Sequence, residues 1–93
     1  PHLIFLLFLV NASVLEEVFY RQLLWEKLTY PFVQIGVTSF LFALAHGPIQ
    51  LGSWLIYSCL GLTLAVVRLK TDCMTAITLH LLWNSLVYVL TFL

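Results

Sequence analysis

The feature that most constrains this chain is a series of four apolar stretches that together occupy almost its whole length. They run from about Leu3 to Trp25, from Phe32 to His46, from Ile49 to Leu69 and from Met74 to Leu93. A helix that crosses a lipid bilayer needs roughly 20 mostly apolar residues, so the third and fourth stretches are long enough. The first is long enough if its polar residues face protein. The second is short and is bounded by Pro31 and Gly47-Pro48.

Such a chain is expected to be helical, because lipid offers the backbone no hydrogen-bond partners. Only α-helices and closed β-barrels satisfy every backbone group inside a bilayer, and the strict polar–apolar alternation of barrel strands is absent from the sequence. The hydrophobic fraction is 62% and the charged fraction is 9%, whereas soluble domains carry about 25% charged residues. The sequence therefore predicts an all-α, polytopic membrane helix bundle with about four transmembrane helices. Because the chain opens with Pro1 and not methionine, residues 1–93 are expected to be a single core from a longer polytopic protein.

The charges predict an orientation and exclude one class of partner. The formal net charge is zero and no basic patch is present, so nucleic acid is not an expected partner. Three of the four basic residues, Lys27, Arg68 and Lys70, lie in the segments 26–31 and 68–72 between apolar stretches. Loops rich in Lys and Arg face the cytoplasm. Both loops are therefore predicted to be cytoplasmic, and their shortness favours a bacterial plasma membrane.

Six ionisable or strongly polar side chains fall inside the apolar stretches. They are Glu16, Glu17, Arg21, His46, His80 and Asn84. A charged side chain at the centre of a bilayer costs about 2.5–3.5 kcal/mol on insertion scales. Residues of this kind face the interior of a helix bundle or a water-filled cavity, and by default they indicate a functional site.

Helical spacing separates the roles of the two glutamates. Glu17 and Arg21 lie four residues apart, on one face of a helix, where their charges can pair. Glu16 is rotated by about 100° from Glu17, so its carboxylate is free to face a cavity. Tyr20 lies four residues after Glu16, and its hydroxyl could hydrogen-bond that carboxylate. One glutamate is thus expected to be held by arginine while the other stays available.

The remaining polar residues come from two other helices. His46 ends the second apolar stretch, and His80 and Asn84 lie four residues apart on the fourth. Counted along helices that rise 1.5 Å per residue, these three groups and Glu16 are expected to converge at one depth inside the bundle.

A carboxylate and two imidazoles in a dry site support two kinds of hydrolysis. They can bind a divalent metal whose bound water is the nucleophile. Alternatively, the carboxylate acts as general base on a water held by one histidine, while the other histidine and Asn84 donate hydrogen bonds to the oxyanion. Both routes hydrolyse an amide. No Ser or Cys stands at a recognisable spacing from a histidine, so a covalent mechanism has little support.

The same residues also have alternative interpretations that the sequence does not exclude. Glu17 and Arg21 can be a buried ion pair that fixes helix register, His46 can cap a helix end, and His80 and Asn84 can be interhelical contacts. As a set, the polar groups also suit a proton- or ion-coupled transport subunit or a non-catalytic immunity or maturation scaffold.

The segments EEVFYR, FALAH and HLLWN resemble the three motifs of the CPBP intramembrane proteases. That family joins the CAAX prenyl endopeptidases with bacteriocin-processing and abortive-infection-like (Abi) proteins. The matching positions are Glu16, Glu17 and Arg21, then Phe42 and His46, then His80 and Asn84. The motifs occur in order on successive apolar stretches.

The resemblance implies an all-helical intramembrane endopeptidase acting on a peptide or protein substrate in contact with membrane lipid. It implies that Glu16 and His46 hold and activate the hydrolytic water, and that His80 and Asn84 stabilise the oxyanion. Glu17 and Arg21 would support this catalytic site. If the protein is a metalloprotease, its ligands to Zn²⁺ would be Glu16, His46 and His80. The oligomeric state and the substrate stay undefined.

Overall fold

The computed structural model describes residues 2–92 and is helical almost throughout. Its elements are α1 (His2–Val18), a π-helical segment π1 (Phe19–Leu24), α2 (Trp25–Lys27), α3 (Pro31–Ala45), α4 (Leu51–Lys70) and α5 (Cys73–Phe92). No strand occurs within these residues, so the all-α prediction is confirmed. The predicted last residue of the fourth stretch, Leu93, lies outside the described residues.

Three helical segments are long and apolar enough to cross a bilayer. They are Leu3–Lys27, which comprises most of α1 with π1 and α2, then Leu51–Lys70 and Cys73–Phe92. The fourth helix, α3, has 15 residues and rises only about 22 Å at 1.5 Å per residue, less than the ~30 Å of a hydrocarbon core. The fold is thus a helical membrane bundle with three candidate spans and one shorter apolar helix.

Proline and glycine set the limits of the short helix. Pro31 stands in its first turn, where the missing N–H has no intrahelical partner to lose. At the other end His46 is the C-cap residue, and Gly47 follows with a φ of 60°. Only glycine adopts this left-handed conformation without steric cost, so the chain turns there and leaves His46 at the helix end.

The helices associate as two pairs, α1 with α5 and α3 with α4, and the pairs meet along α4–α5 and along π1. At the junction Tyr20, Phe42 and Leu64 form the buried apolar core. Helices α3 and α4 approach each other closely at Gly61, where an added Cβ would lie 3.3 Å from Ser39 Cα and 3.1 Å from the Phe42 ring. Most other large apolar side chains are exposed, as expected for a surface that faces lipid.

The π-helical segment was not predicted, and side chains of α4 and α5 contact it or the residues on either side of it. Such segments are rare and recur at functional sites. Arg68 Nε donates a hydrogen bond of 2.6 Å to the Arg21 carbonyl, and its guanidinium lies 5.1 Å from the centre of the Trp25 ring. Cys73 donates its S–H to the Glu17 carbonyl over 3.6 Å. The loop between α4 and α5 is accordingly shorter than predicted, since Arg68 lies in the last turn of α4.

Candidate active site

Four of the six predicted polar residues line one cleft between the two helix pairs. The cleft has a volume of about 550 Å³, and Glu16, His46, His80 and Asn84 all line it. Glu17 and Arg21 are absent from its wall because their side chains are fully buried behind it, with no exposed surface. The structure therefore brings the acid, the imidazoles and the amide together at the cleft. The ion pair of Glu17 and Arg21 is buried behind the cleft wall.

Two neighbouring hollows share lining residues with the cleft. One is formed by the connection after α3 and the start of α4, and shares His46, Ser53 and Tyr57 with the cleft. The other is an almost wholly apolar groove of about 420 Å³ between α4 and α5. It shares Ile56, Leu60 and Trp83 with the cleft.

Glu16 stands between the two imidazoles. Its Oε2 lies 3.9 Å from His46 Nε2 and 3.8 Å from His80 Nε2. Both distances exceed a direct N–H···O hydrogen bond of about 2.7–3.2 Å, and they suit two polar groups that share one water molecule. The Glu16 side chain keeps 36% of its surface exposed, whereas that of His80 keeps 2%. The Glu16 carboxylate therefore remains accessible to a molecule in the cleft.

The tautomer of His46 follows from its partner. Nδ1 lies 2.7 Å from the Phe42 carbonyl, and because a carbonyl only accepts, Nδ1 must carry the proton. In the neutral ring Nε2 then presents a lone pair towards Glu16. The ring also stacks on Tyr57, with centroids 4.5 Å apart, so both its plane and its polarity are set.

His80 is oriented by the second glutamate. Its Nδ1 lies 2.9 Å from Glu17 Oε2, and both side chains are buried. The other oxygen, Glu17 Oε1, lies 3.4 Å from Arg21 Nε, so the predicted ion pair is present. Arg21 Nη2 donates a hydrogen bond of 2.8 Å to the Gly61 carbonyl. A chain of contacts thus runs from Gly61 on α4 through Arg21 and Glu17 to His80 on α5.

The guanidinium of Arg21 contacts two aromatic rings in addition to the Glu17 carboxylate. It lies 5.0 Å from the centre of the Phe42 ring and 5.8 Å from that of Tyr20, distances at which an aromatic face attracts a cation. Tyr20 itself belongs to the apolar core, and within residues 2–92 it forms no hydrogen bond to Glu16. That expectation was wrong because the Tyr20 ring packs in the core against Phe42, with ring centroids 6.0 Å apart.

Asn84 has a partner that the motifs do not include. Its Nδ2 donates a hydrogen bond to Ser13 Oγ on α1, and Ser13 Oγ in turn donates to the Leu9 carbonyl over 2.7 Å. Ser13 is fully buried. It is a polar residue in an apolar run, four positions before Glu17 on the same face, and this spacing is the signal that could have identified it.

The predicted zinc ligands do not form a metal site as they stand. Their donor types, one carboxylate and two imidazoles, are those of zinc hydrolases. Across residues 2–92, however, no three His, Cys, Asp or Glu side chains are arranged to hold a metal ion. Zinc dependence therefore stays a prediction.

Fold and site together define a class: a helical membrane protein whose facing helices supply an acid, two imidazoles and an amide to a cleft within the bundle. The chain matches the family model described as type II CAAX prenyl endopeptidase Rce1-like over residues 1–86. It therefore belongs to this family of proteases, in agreement with the resemblance of its motifs. No curated protein and no solved structure gives a significant match. The family and the three apolar helices make this an integral membrane protein with a peptide or protein substrate.

Proposed function

We propose that this chain is an intramembrane endopeptidase that hydrolyses a peptide bond with a water activated by Glu16 and His46. His80 and Asn84 stabilise the oxyanion of the tetrahedral intermediate. The observation that carries the proposal is the position of Glu16 Oε2, 3.8–3.9 Å from the Nε2 atoms of two histidines at the wall of one cleft. Membership of a protease family supports this reading over a proton relay or a silent scaffold.

The nucleophile is a water bound between Glu16 and His46. Glu16 accepts one of its hydrogens, and neutral His46 accepts the other, because its own proton is on Nδ1 against the Phe42 carbonyl. Both hydrogens are then directed at the protein, and an oxygen lone pair is left for the substrate carbonyl. This arrangement prepares the water for general-base catalysis.

The oxyanion is held from α5. With the Glu17 carboxylate accepting from Nδ1, protonation of His80 at Nε2 gives an imidazolium whose second N–H points into the cleft. The charges of Glu16, Glu17, Arg21 and His80 then sum to zero, which suits a site enclosed by apolar protein. Asn84 uses one amide hydrogen on Ser13 and has a second to donate.

The atoms balance without a covalent enzyme intermediate. The water oxygen bonds to the carbonyl carbon while Glu16 takes one proton, and the carbonyl electron pair moves to the oxygen held by His80 and Asn84. When the carbonyl re-forms, the C–N bond breaks, and Glu16 returns the proton to the leaving nitrogen. Glu17 and Arg21 take no part in bond changes, because they are buried behind the cleft.

The direct test removes the base. The chain, reconstituted in lipid vesicles, is incubated with a farnesylated CAAX-tailed peptide and with its unprenylated counterpart, and products are identified by mass spectrometry. Glu16→Gln is expected to abolish cleavage, whereas the matched variant Glu26→Gln, an exposed glutamate bonded to Gln22, should cleave at the wild-type rate. Cleavage by Glu16→Gln at the wild-type rate would overturn the proposal.

Metal dependence is tested separately. Because the three donors are not arranged around an ion in the described residues, we expect activity to survive prolonged dialysis against a strong chelator. Loss of activity on dialysis, with recovery on stoichiometric Zn²⁺, would instead establish a zinc enzyme and change the assigned role of His80.

A further inference from the structure

Asn84 is connected to α1 by a short chain of hydrogen bonds with a fixed direction. The Leu9 carbonyl accepts from Ser13 Oγ at 2.7 Å, and Ser13 Oγ accepts from Asn84 Nδ2. Ser13 has no exposed surface, so water does not compete for its hydroxyl. Residues 13 and 84 lie 71 positions apart, and the contact joins the helix of the base to the helix of the oxyanion donors.

The direction of this chain determines which way the amide faces. A carbonyl can only accept a hydrogen bond, so the single proton of the Ser13 hydroxyl is committed to Leu9. The oxygen of Ser13 is then only an acceptor towards α5. An amide rotated by 180° would place its Oδ1 against that oxygen, and two acceptors would face each other in a buried site at a cost of about 1–3 kcal/mol.

We propose that Ser13 is a positioning residue that holds the Asn84 amide with its NH2 group on the side of α1, the helix that carries Glu16. This inference rests on the proposed function, in which the second N–H of that group stabilises the oxyanion. Without Ser13 the amide populates both orientations, and in one of them an acceptor oxygen faces the developing negative charge. The effect acts on the transition state, so it belongs to kcat and not to substrate binding.

The test is a double-mutant cycle with Asn84. Ser13→Ala is expected to lower kcat roughly 10-fold to 100-fold, less than the 10²–10³ typical of a deleted oxyanion donor, with KM nearly unchanged. In an Asn84→Ala background the same change should have no further effect. Ser13→Thr, which keeps the hydroxyl, should restore most of the rate. Thr38→Val is the matched control, since Thr38 is buried and bonds the Gln34 carbonyl in the same way.

Two outcomes of the cycle overturn the inference. One is an unchanged rate in Ser13→Ala, which would show that the amide needs no support. The other is a loss that is equally large with and without Asn84, which would assign Ser13 a purely structural role.

A second readout separates this inference from the proposed function. The sequence contains two asparagines, Asn11 and Asn84, so ¹⁵N labelling of the asparagine side chains gives two pairs of NH2 signals in detergent micelles. Ser13→Ala should shift the Asn84 signal and speed its hydrogen exchange while Asn11 is unaffected. If this occurs but wild type cleaves neither peptide, the positioning role stands and the peptidase assignment fails. An unchanged Asn84 signal rejects the positioning role whatever the activity.

Discussion

At the scale of single residues, the amide of Asn84 distinguishes the two kinds of chemistry that an acid and two imidazoles support. In hydrolysis it donates to an oxyanion, whereas a proton relay through Glu16 and the histidines hardly needs an amide. Asn84→Ala is therefore expected to lower the cleavage rate about 10²–10³-fold, measured as kcat for the reconstituted chain. A rate within threefold of wild type would remove Asn84 from the mechanism.

Residue spacing predicted local partners and missed distant ones. The ion pair of Glu17 with Arg21 follows from a separation of four, because helix geometry alone brings such residues together. The contact of Glu17 with His80 spans 63 positions, and that of Arg21 with Gly61 spans 40. Neither could be derived from the sequence, since both depend on how α1, α4 and α5 lie against each other.

At the scale of elements, the π-helical segment π1 accepts a hydrogen bond from Arg68 of α4. The sequence gives no sign of π1, because its residues, Phe19–Leu24, form ordinary α-helices as readily. What distinguishes the segment is the donor brought to the Arg21 carbonyl by α4. Arg68 was predicted to lie in a loop, but it lies in the last turn of α4, where it makes this contact.

Removing that donor should weaken the bundle. Arg68→Gln loses the hydrogen bond to Arg21 and the contact with the Trp25 ring, and we expect unfolding in detergent to require about 1–3 kcal/mol less. Lys70→Gln removes the same charge from an exposed position of the same helix and should change stability by less than about 0.5 kcal/mol. Hydrogen exchange of the amides in π1 should accelerate only in the first variant. Equal effects of the two changes would assign the loss to charge alone.

The start of α5 predicts a dependence of stability on pH. The Asp72 carboxylate accepts hydrogen bonds of 2.8 Å from the backbone N–H and from the hydroxyl of Thr75. These bonds lower the pKa of Asp72 below its usual 3.8. Because the folded pKa is the lower one, the stabilisation is complete above pH 3.8 and is lost as pH falls through the lowered value.

The measurement compares thermal unfolding of wild type and Asp72→Asn in detergent between pH 5 and pH 2. Asparagine can still cap the helix but does not titrate, so the variant should lose less stability than wild type across this interval. Identical slopes for the two proteins would show that the cap is not titrating.

At the scale of the whole molecule, hydropathy was sufficient to predict the fold class, a helical membrane bundle. Long apolar runs predict membrane helices because lipid leaves the backbone no alternative. The extent of α3 is set by Pro31 and Gly47 at its ends, which make it shorter than the three candidate spans. The place where two helix pairs leave a cleft between them has no sequence signature at all.

The orientation in the membrane stays a prediction. Two of the candidate spans, Leu3–Lys27 and Leu51–Lys70, each end in an exposed lysine. The sequence contains two lysines in all. With both ends cytoplasmic, a membrane-impermeant amine reagent should modify Lys27 and Lys70 in inside-out vesicles and leave them unmodified in intact cells. Peptide mass spectrometry reads the result, and modification from outside the cell would reverse the assigned orientation.

The two charged side chains underneath His80 have no contact with the surrounding solution. Dissolved ions screen charges that they can approach, over about 8 Å at physiological ionic strength, and screen buried pairs much less. The field that Glu17 and Arg21 impose on His80 is therefore nearly independent of the electrolyte outside. If Glu16 and His80 act as proposed, their electrostatic environment therefore stays the same in dilute and in concentrated media.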